Sequence, residues 1–473
     1  MQKNNNLFSA AWILIYPAFL FVFLLKYRTN YNSVELKLFF ALLASYIICG
    51  FLLLVAKFNH DLYLFEPFSF ATLIYIAIFV YRPLVDLYAG DVSARGISVL
   101  GGGYKATVIF TLSYCCLYYG YFVLSKRITL KLERMQAPER VFPIQYSQTG
   151  NIYPLVGWAV SFVLSIVCMI SQGASLSYIF TLSASGERVV DEGNVALLFL
   201  SNFGITLVSF WLMLILKPGN RLIKIVVTVL SAVYIVMRNA RWLLLVFLGA
   251  PFVYYYVKRK KRPNLLLLTF GSVLLLTLFA WMQLNRPNII HGGQMIGLFD
   301  NWLSFDTLLS PFDSDLTTYK VFYGMVNRFP SEYSYMYGKT FLYTFLLFIP
   351  RSLWPSKPQN PVLDVTEYSL NAVARRAGAA VANIGEFYVN FGVVGVVLLS
   401  VLFGIVISKL KVLYEKPNEE RLMVYSIMWL LLYQWVARGY FGGNLYVVIF
   451  AMLPFFVLLL AKRLGISELK LRR

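Results

Sequence analysis

Residues 348–395 read FIPRSLWPSKPQNPVLDVTEYSLNAVARRAGAAVANIGEFYVNFGVVG. Arg351, Lys357, Arg375 and Arg376 stand between two apolar runs, and Glu386 sits at the mouth of the second. The first run, GKTFLYTFLLFIP, ends at a proline and Arg351. It is too short for a bilayer span, which needs about 20 apolar residues, so it predicts an interfacial or re-entrant helix. The proline-rich WPSKPQNP that follows must be extended or turned. The second run opens a full-length span at Phe387. A dense group of cations bounded in this way belongs to a polar loop at one face of a membrane.

The rest of the chain agrees. Of 473 residues, 59% are hydrophobic and 14% charged, against about 25% charged in an ordinary soluble domain. Apolar runs near 7–25, 36–56, 68–87, 106–124, 152–171, 195–216, 225–237, 242–257, 265–284, 387–407, 422–436 and 445–460 predict an all-α polytopic membrane protein of about 12 transmembrane helices. Residues 1–284 carry the first nine spans. Residues 285–386 are expected to form a large extracytoplasmic loop with short amphipathic or re-entrant helices, one of them amphipathic within LSPFDSDLTTYKVFYGMVNRFP. Residues 387–473 carry the last three spans and a basic tail. The polar start MQKNNN leads into apolar sequence without a small-residue cleavage site, so a retained first span is expected rather than a signal peptide. Cys49, Cys115, Cys116 and Cys168 all fall inside apolar runs, with no CxxC pattern. They read as small apolar residues, not as a disulfide framework.

The net charge is +20, which on a soluble protein would suggest nucleic acid. Here the basic clusters, densest at Lys258-Arg259-Lys260-Lys261-Arg262, follow even-numbered spans. The positive-inside rule then places them, and both termini, in the cytoplasm. No nucleic-acid partner is expected. The remaining arginines run against the rule. Arg82, Arg95, Arg188, Arg238, Arg241, Arg286, Arg328, Arg351, Arg375, Arg376 and Arg438 fall outside, or near the outer ends of spans. An arginine near mid-membrane costs roughly 2.5–3.5 kcal/mol on insertion scales, so so many on one side suggest a compensating anion. The guanidinium fork suits a diphosphate better than an ammonium does. The same arginines could also simply reach lipid phosphates. Arg238 and Arg241 would share a face if the backbone between them is helical.

Other chemistry is thin. Glu386 could complement a helix macrodipole, or serve as a base or orienting group for a hydroxyl. His291 is placed in the outer loop, where it is either a base or a solvated side chain. Asp300, Asp306, Asp313 and Asp315 form no trusted metal pattern, so no metal is expected. No GxxxxGK[ST] phosphate loop is present, which argues against ATP-driven work. The run Gly101-Gly102-Gly103 carries little information, and the outer tyrosines and tryptophans could stack on sugars or form an interfacial aromatic belt.

FIPRSLWPSKP, followed by GEFYVNFGVVG at the start of a span, resembles the bacterial oligosaccharide repeat-unit polymerases, the Wzy-type enzymes of O-antigen and capsule synthesis. VMRNARW, with its arginine pair between two short spans, is similar to theirs, as is the plan of about a dozen spans with one late outer loop. The resemblance implies a GT-C-like membrane glycosyltransferase in the bacterial cytoplasmic membrane, working without cofactor, metal or nucleotide. Its substrates would be undecaprenyl-diphosphate-linked oligosaccharides, and a chain-length regulator and a flippase its partners. On that basis Glu386, Arg351 and His291 are the catalytic candidates. Arg238, Arg241, Arg375, Arg376, Arg438, Lys357 and Arg188 are candidates for holding diphosphate. A ligase of finished glycan would use the same arginines. A flippase would show internal repeats, which the sequence lacks.

Overall fold

The computed structural model describes residues 32–60, 62–94, 97–128, 152–171, 202–238, 240–261, 263–291, 297, 307, 316–346, 349, 353–358, 361, 364–365, 380–415 and 418–463. Thirteen helices organise these residues. They are α1 (Ser33–His60), α2 (Pro67–Ala89), α3 (Leu100–Ile128), α4 (Ile152–Ser171), α5 (Phe203–Leu216), α6 (Arg221–Met237), α7 (Arg241–Arg259), α8 (Leu265–His291), α9 (Thr318–Arg328), α10 (Lys339–Leu346), α11 (Ala382–Glu415, kinked at Gly392, where the backbone is not helical), α12 (Glu419–Tyr433) and α13 (Phe441–Arg463). A two-residue hairpin, β1 (Ser93–Ala94) against β2 (Ile97–Ser98), links α2 to α3. Six helices, α1, α2, α3, α8, α11 and α13, contain stretches long and apolar enough to cross a membrane. Shorter apolar segments occupy α4 and α5.

Two cores form. One gathers α1, α2, α3, α9 and α11 around Phe39, Phe79, Phe110, Phe322 and Tyr388. The other gathers α4 to α8, α12 and α13 around Trp211, Tyr234, Phe247 and Tyr425. Lipid offers no hydrophobic drive between helices, so close backbone approach at small residues takes its place. A Cβ on Gly120 of α3 would lie 2.2 Å from the Val401 carbonyl oxygen of α11. Ser113 and Ser400 hydrogen-bond across the same seam at 2.7 Å. The glycine run at 101–103 proves informative after all: a Cβ on Gly102 would lie 2.1 Å from the Tyr323 carbonyl oxygen, which seats α9 against α3. That seat explains why α9, expected as a short amphipathic helix of the loop, is buried at Tyr319, Val321, Phe322, Tyr323 and Met325.

α7 and α12 are antiparallel neighbours, with Lys258 paired to Glu419 at one end and Gly249 packed on Leu430 further along. Tyr63 donates to the Lys261 carbonyl oxygen, Tyr121 and Lys411 bond Glu66, and His60 stacks on Phe122, all at that same end. Arg82, Arg238, Arg241, Lys357, Glu386 and Arg438 lie toward the opposite end.

Replacing Gly102 with alanine should cost about 1–3 kcal/mol of stability through overpacking. Gly271→Ala, where a Cβ meets nothing within 4 Å, should be neutral or stabilising by up to about 1 kcal/mol. Thermal unfolding of the purified variants in detergent measures both.

Candidate functional site

Glu386 is the centre of the end opposite Lys258 and Glu419. It lies one turn into α11, not at its start, and is 3% exposed. A buried carboxylate must be paired or hydrogen-bonded. Oε1 accepts from the Thr340 hydroxyl of α10 at 2.8 Å, and Oε2 accepts from the Phe441 backbone N–H at 2.8 Å. Phe441 is the first residue of α13, so Glu386 complements the dipole of that helix rather than its own. Asn390, one turn on, is fully buried. Its Nδ2 donates to Thr340 Oγ1 at 2.7 Å and to the Glu386 carbonyl oxygen at 2.8 Å. Its Oδ1 accepts from the Gly338 N–H at 3.0 Å. Three chain segments, 336–340, 382–390 and 438–441, are thereby tied together.

The backbone is strained where they meet. Tyr337, Ala382 and Tyr440 have φ of 47°, 54° and 55°, and Gly338, Gly392 and Gly439 also lie at positive φ. Only Lys260 and Gly90 share that conformation elsewhere among the described residues. A left-handed non-glycine residue costs of order 1–3 kcal/mol, and such residues cluster at functional sites. Gly439 is fixed by both requirements: its φ is +63° and a Cβ would lie 2.6 Å from the Ala382 carbonyl oxygen.

Arg438 stands on this joint. It closes a π turn, Gln434–Arg438, that extends α12, and such turns recur at functional sites. Its carbonyl oxygen accepts from the Val381 N–H at 3.4 Å. Lys357 is 3% exposed; its Nζ donates to the Ile349 carbonyl oxygen at 3.1 Å and lies 5.4 Å from the Tyr343 ring centre on α10. α10 is helical, as expected for an interfacial segment, with Leu342 and Phe345 each 62% exposed and Thr340, Tyr343 and Thr344 buried.

Arg238 and Arg241 do not share a helical face. Arg238 caps the C-terminus of α6, the chain leaves helical geometry at Ala240 (φ −93°, ψ 82°), and Arg241 begins α7. Arg238 donates to the Tyr234 hydroxyl at 3.0 Å and Arg241 to Gln283 Oε1 of α8 at 2.9 Å. Arg241 is nevertheless level with Arg438. From the contact of Gly249 with Leu430, each lies eight residues toward the same end of the antiparallel pair, about 12 Å at 1.5 Å per residue. His291 is the last residue of α8 rather than part of a loop. Arg188, Arg351, Arg375 and Arg376 lie outside the described residues. No group of three or more metal-ligating side chains occurs among the described residues.

Sequence reading missed a second cluster at this end. Asp86 accepts from Arg82 at 3.0 Å, from Lys320 of α9 at 2.9 Å, and from the Tyr319 hydroxyl. Burial, then the neighbouring Asp86 carboxylate, holds the Tyr319 hydroxyl well above the ordinary tyrosine pKa, so it remains a donor. Asp86 four residues after Arg82 was the available signal. For Asn390 it was a polar residue four after Glu386 in an otherwise apolar run.

These features define a multi-pass helical membrane protein with a buried polar joint and separate cationic side chains at one end of the bundle. A family profile described as O-antigen polysaccharide polymerase Wzy matches residues 12–465, and the chain belongs to that family. It is a glycosyltransferase-like polymerase of O-antigen repeat units in a membrane. No curated protein and no solved structure matches the chain.

Asp86→Ala should lower stability by about 3–5 kcal/mol, because Arg82 and Lys320 would stay partly buried without their carboxylate. Loss of α9 docking, read by limited proteolysis between α8 and α10, should accompany it.

Proposed function

We propose that this polymerase transfers a growing glycan from undecaprenyl diphosphate to the non-reducing end of a new lipid-linked repeat unit, at the outer face of the bacterial cytoplasmic membrane. The acceptor hydroxyl oxygen bonds to the anomeric carbon of the growing chain. The bond from that carbon to the diphosphate oxygen breaks, and the leaving electron pair stays on undecaprenyl diphosphate. The hydroxyl proton passes to a base. Charge therefore develops on the diphosphate, and fixed cations placed beside it lower the barrier without a metal or nucleotide.

The observation that carries the reading is that Arg438, Arg241 and Lys357 stand at one end of the bundle while Lys258, Lys261 and Lys411 stand at the other. Arg438 and Arg241 are the foremost diphosphate ligands. Arg238 and Lys357 stand with them, and Arg188, Arg351, Arg375 and Arg376 are proposed to complete the set. His291, at the end of α8, is the candidate base nearest the loop. The opposite, lysine-rich end is cytoplasmic under the positive-inside rule, with both termini there. About twelve spans, in a GT-C-like arrangement, complete the architecture. A flippase would deliver the units and a chain-length regulator would stop growth.

Purified protein given only a lipid-diphosphate repeat unit should produce a ladder of glycan lengths on a gel. A single product on a different acceptor would point to a ligase instead. Arg438→Ala and Arg241→Ala should each lower the rate by roughly 10²-fold, the usual cost of one preorganised donor. Arg438→Lys should recover little, since charge without the planar fork does not reproduce the contact.

A further inference from the structure

We propose that Glu386 acts on the reaction through Arg438 and not on the glycan, with Thr340 and Asn390 as fellow positioning residues. The proposal rests on the reading that Arg438 holds the leaving diphosphate.

Both carboxylate oxygens of Glu386 are engaged inside the protein, one by Thr340 and one by Phe441. The side chain is 3% exposed. A group that deprotonates a sugar hydroxyl must reach that hydroxyl within hydrogen-bond distance, and this carboxylate faces a helix N-terminus instead. What it does control is the corner between α12 and α13. Arg438, Gly439 and Tyr440 make that corner, with Gly439 and Tyr440 both at positive φ. Ala382, itself at φ 54°, meets it from the α11 side. Strain on both faces needs a restraint to hold it. Restraints on it include the Val381 N–H on the Arg438 carbonyl oxygen, the Asn444 side chain on the Gly439 carbonyl oxygen, the Asn444 N–H on the Tyr440 carbonyl oxygen, and Glu386 on the Phe441 N–H. Glu386 joins the corner to α10 through the Thr340 hydroxyl, beside the packing of the Phe341 ring on Phe441. Asn390 fixes the α10 side by holding Thr340 and the Gly338 N–H. Small errors in placing a catalytic group are expensive: about 1 Å can cost about 10²-fold in rate.

A double-mutant cycle on the purified enzyme, with a lipid-diphosphate repeat unit as substrate and rates taken per folded molecule, tests the proposal. Glu386→Ala alone should lower kcat by up to about 10²-fold. In an Arg438→Ala background the same change should cost less than about twofold, because residues acting as one unit are not additive. Glu386→Gln keeps an oxygen for the Phe441 N–H and should stay within about tenfold of wild type, with an unchanged pH–rate profile. If Glu386→Ala does not fold, Thr340→Val enters the same cycle with the same expectation. Multiplying losses in the double variant, or a pH–rate limb that disappears in Glu386→Gln, would overturn the proposal while leaving Arg438 in the site. Wild-type rate from Arg438→Ala alone would remove Arg438 from the diphosphate site, and the proposal with it.

Discussion

One carboxylate sets the terms for the functional end of this protein. Glu386 is withdrawn from water, and a carboxyl group in that position is tolerated only with hydrogen-bond partners supplied by the protein. The donors come from two other segments: the Thr340 hydroxyl on α10 and the Phe441 N–H at the start of α13. The pairing therefore joins a short helix of the late loop, a long span and the final helix. It also places Arg438, three residues before Phe441, at a backbone corner with little freedom. The cost of the left-handed residues around it is met by many mutually supporting bonds, among them the three successive N–H groups of Met336, Tyr337 and Gly338 on Val389 and Asn390.

The remainder of the bundle makes that joint possible. α3 and α11 approach through Gly120 and the Ser113–Ser400 pair, which leaves the polar head of α11 facing α10 and α13. The Asp86 cluster and the Gly102 seat hold α9 between α2 and α3. Antiparallel packing of α7 on α12 brings Arg241 level with Arg438, although 197 positions separate them in the chain. Charge is segregated as a result. Lysines paired to Glu66 and Glu419 finish one end; at the other, Arg238 and Arg241 have neutral polar partners while Arg82 and Lys320 share Asp86.

Much of this was legible in the sequence because hydropathy reports burial in lipid directly. The apolar runs at 36–56 and 106–124 each fall within a helix, the run at 387–407 is helical on both sides of a kink at Gly392, and the two short helices of the late segment stand near 318–328 and 339–346 as expected. Helix ends were less legible. α8 continues to His291, seven residues beyond its apolar run, because polar residues can extend a helix whose backbone bonds are already propagating. The break between Arg238 and Arg241 depends on the backbone at Ala240, which no side-chain pattern announces. Glu386 was conspicuous as a charge, but its partner is a backbone N–H 55 residues away, and periodicity carries no information about such a contact. The glycines at 101–103 looked empty for the same reason: their meaning lies in a carbonyl of α9.

Everything proposed for the reaction requires the arginine-bearing end to face away from the cytoplasm. The direct measurement is labelling with a membrane-impermeant maleimide, in a background lacking the four native cysteines. Leu353, 78% exposed near Lys357, and Lys260, beyond the end of α7, would each be replaced singly by cysteine. Right-side-out vesicles should label the Leu353 variant and spare the Lys260 variant, with the pattern exchanged in inside-out vesicles. Labelling of the Lys260 variant but not the Leu353 variant in right-side-out vesicles would contradict the account.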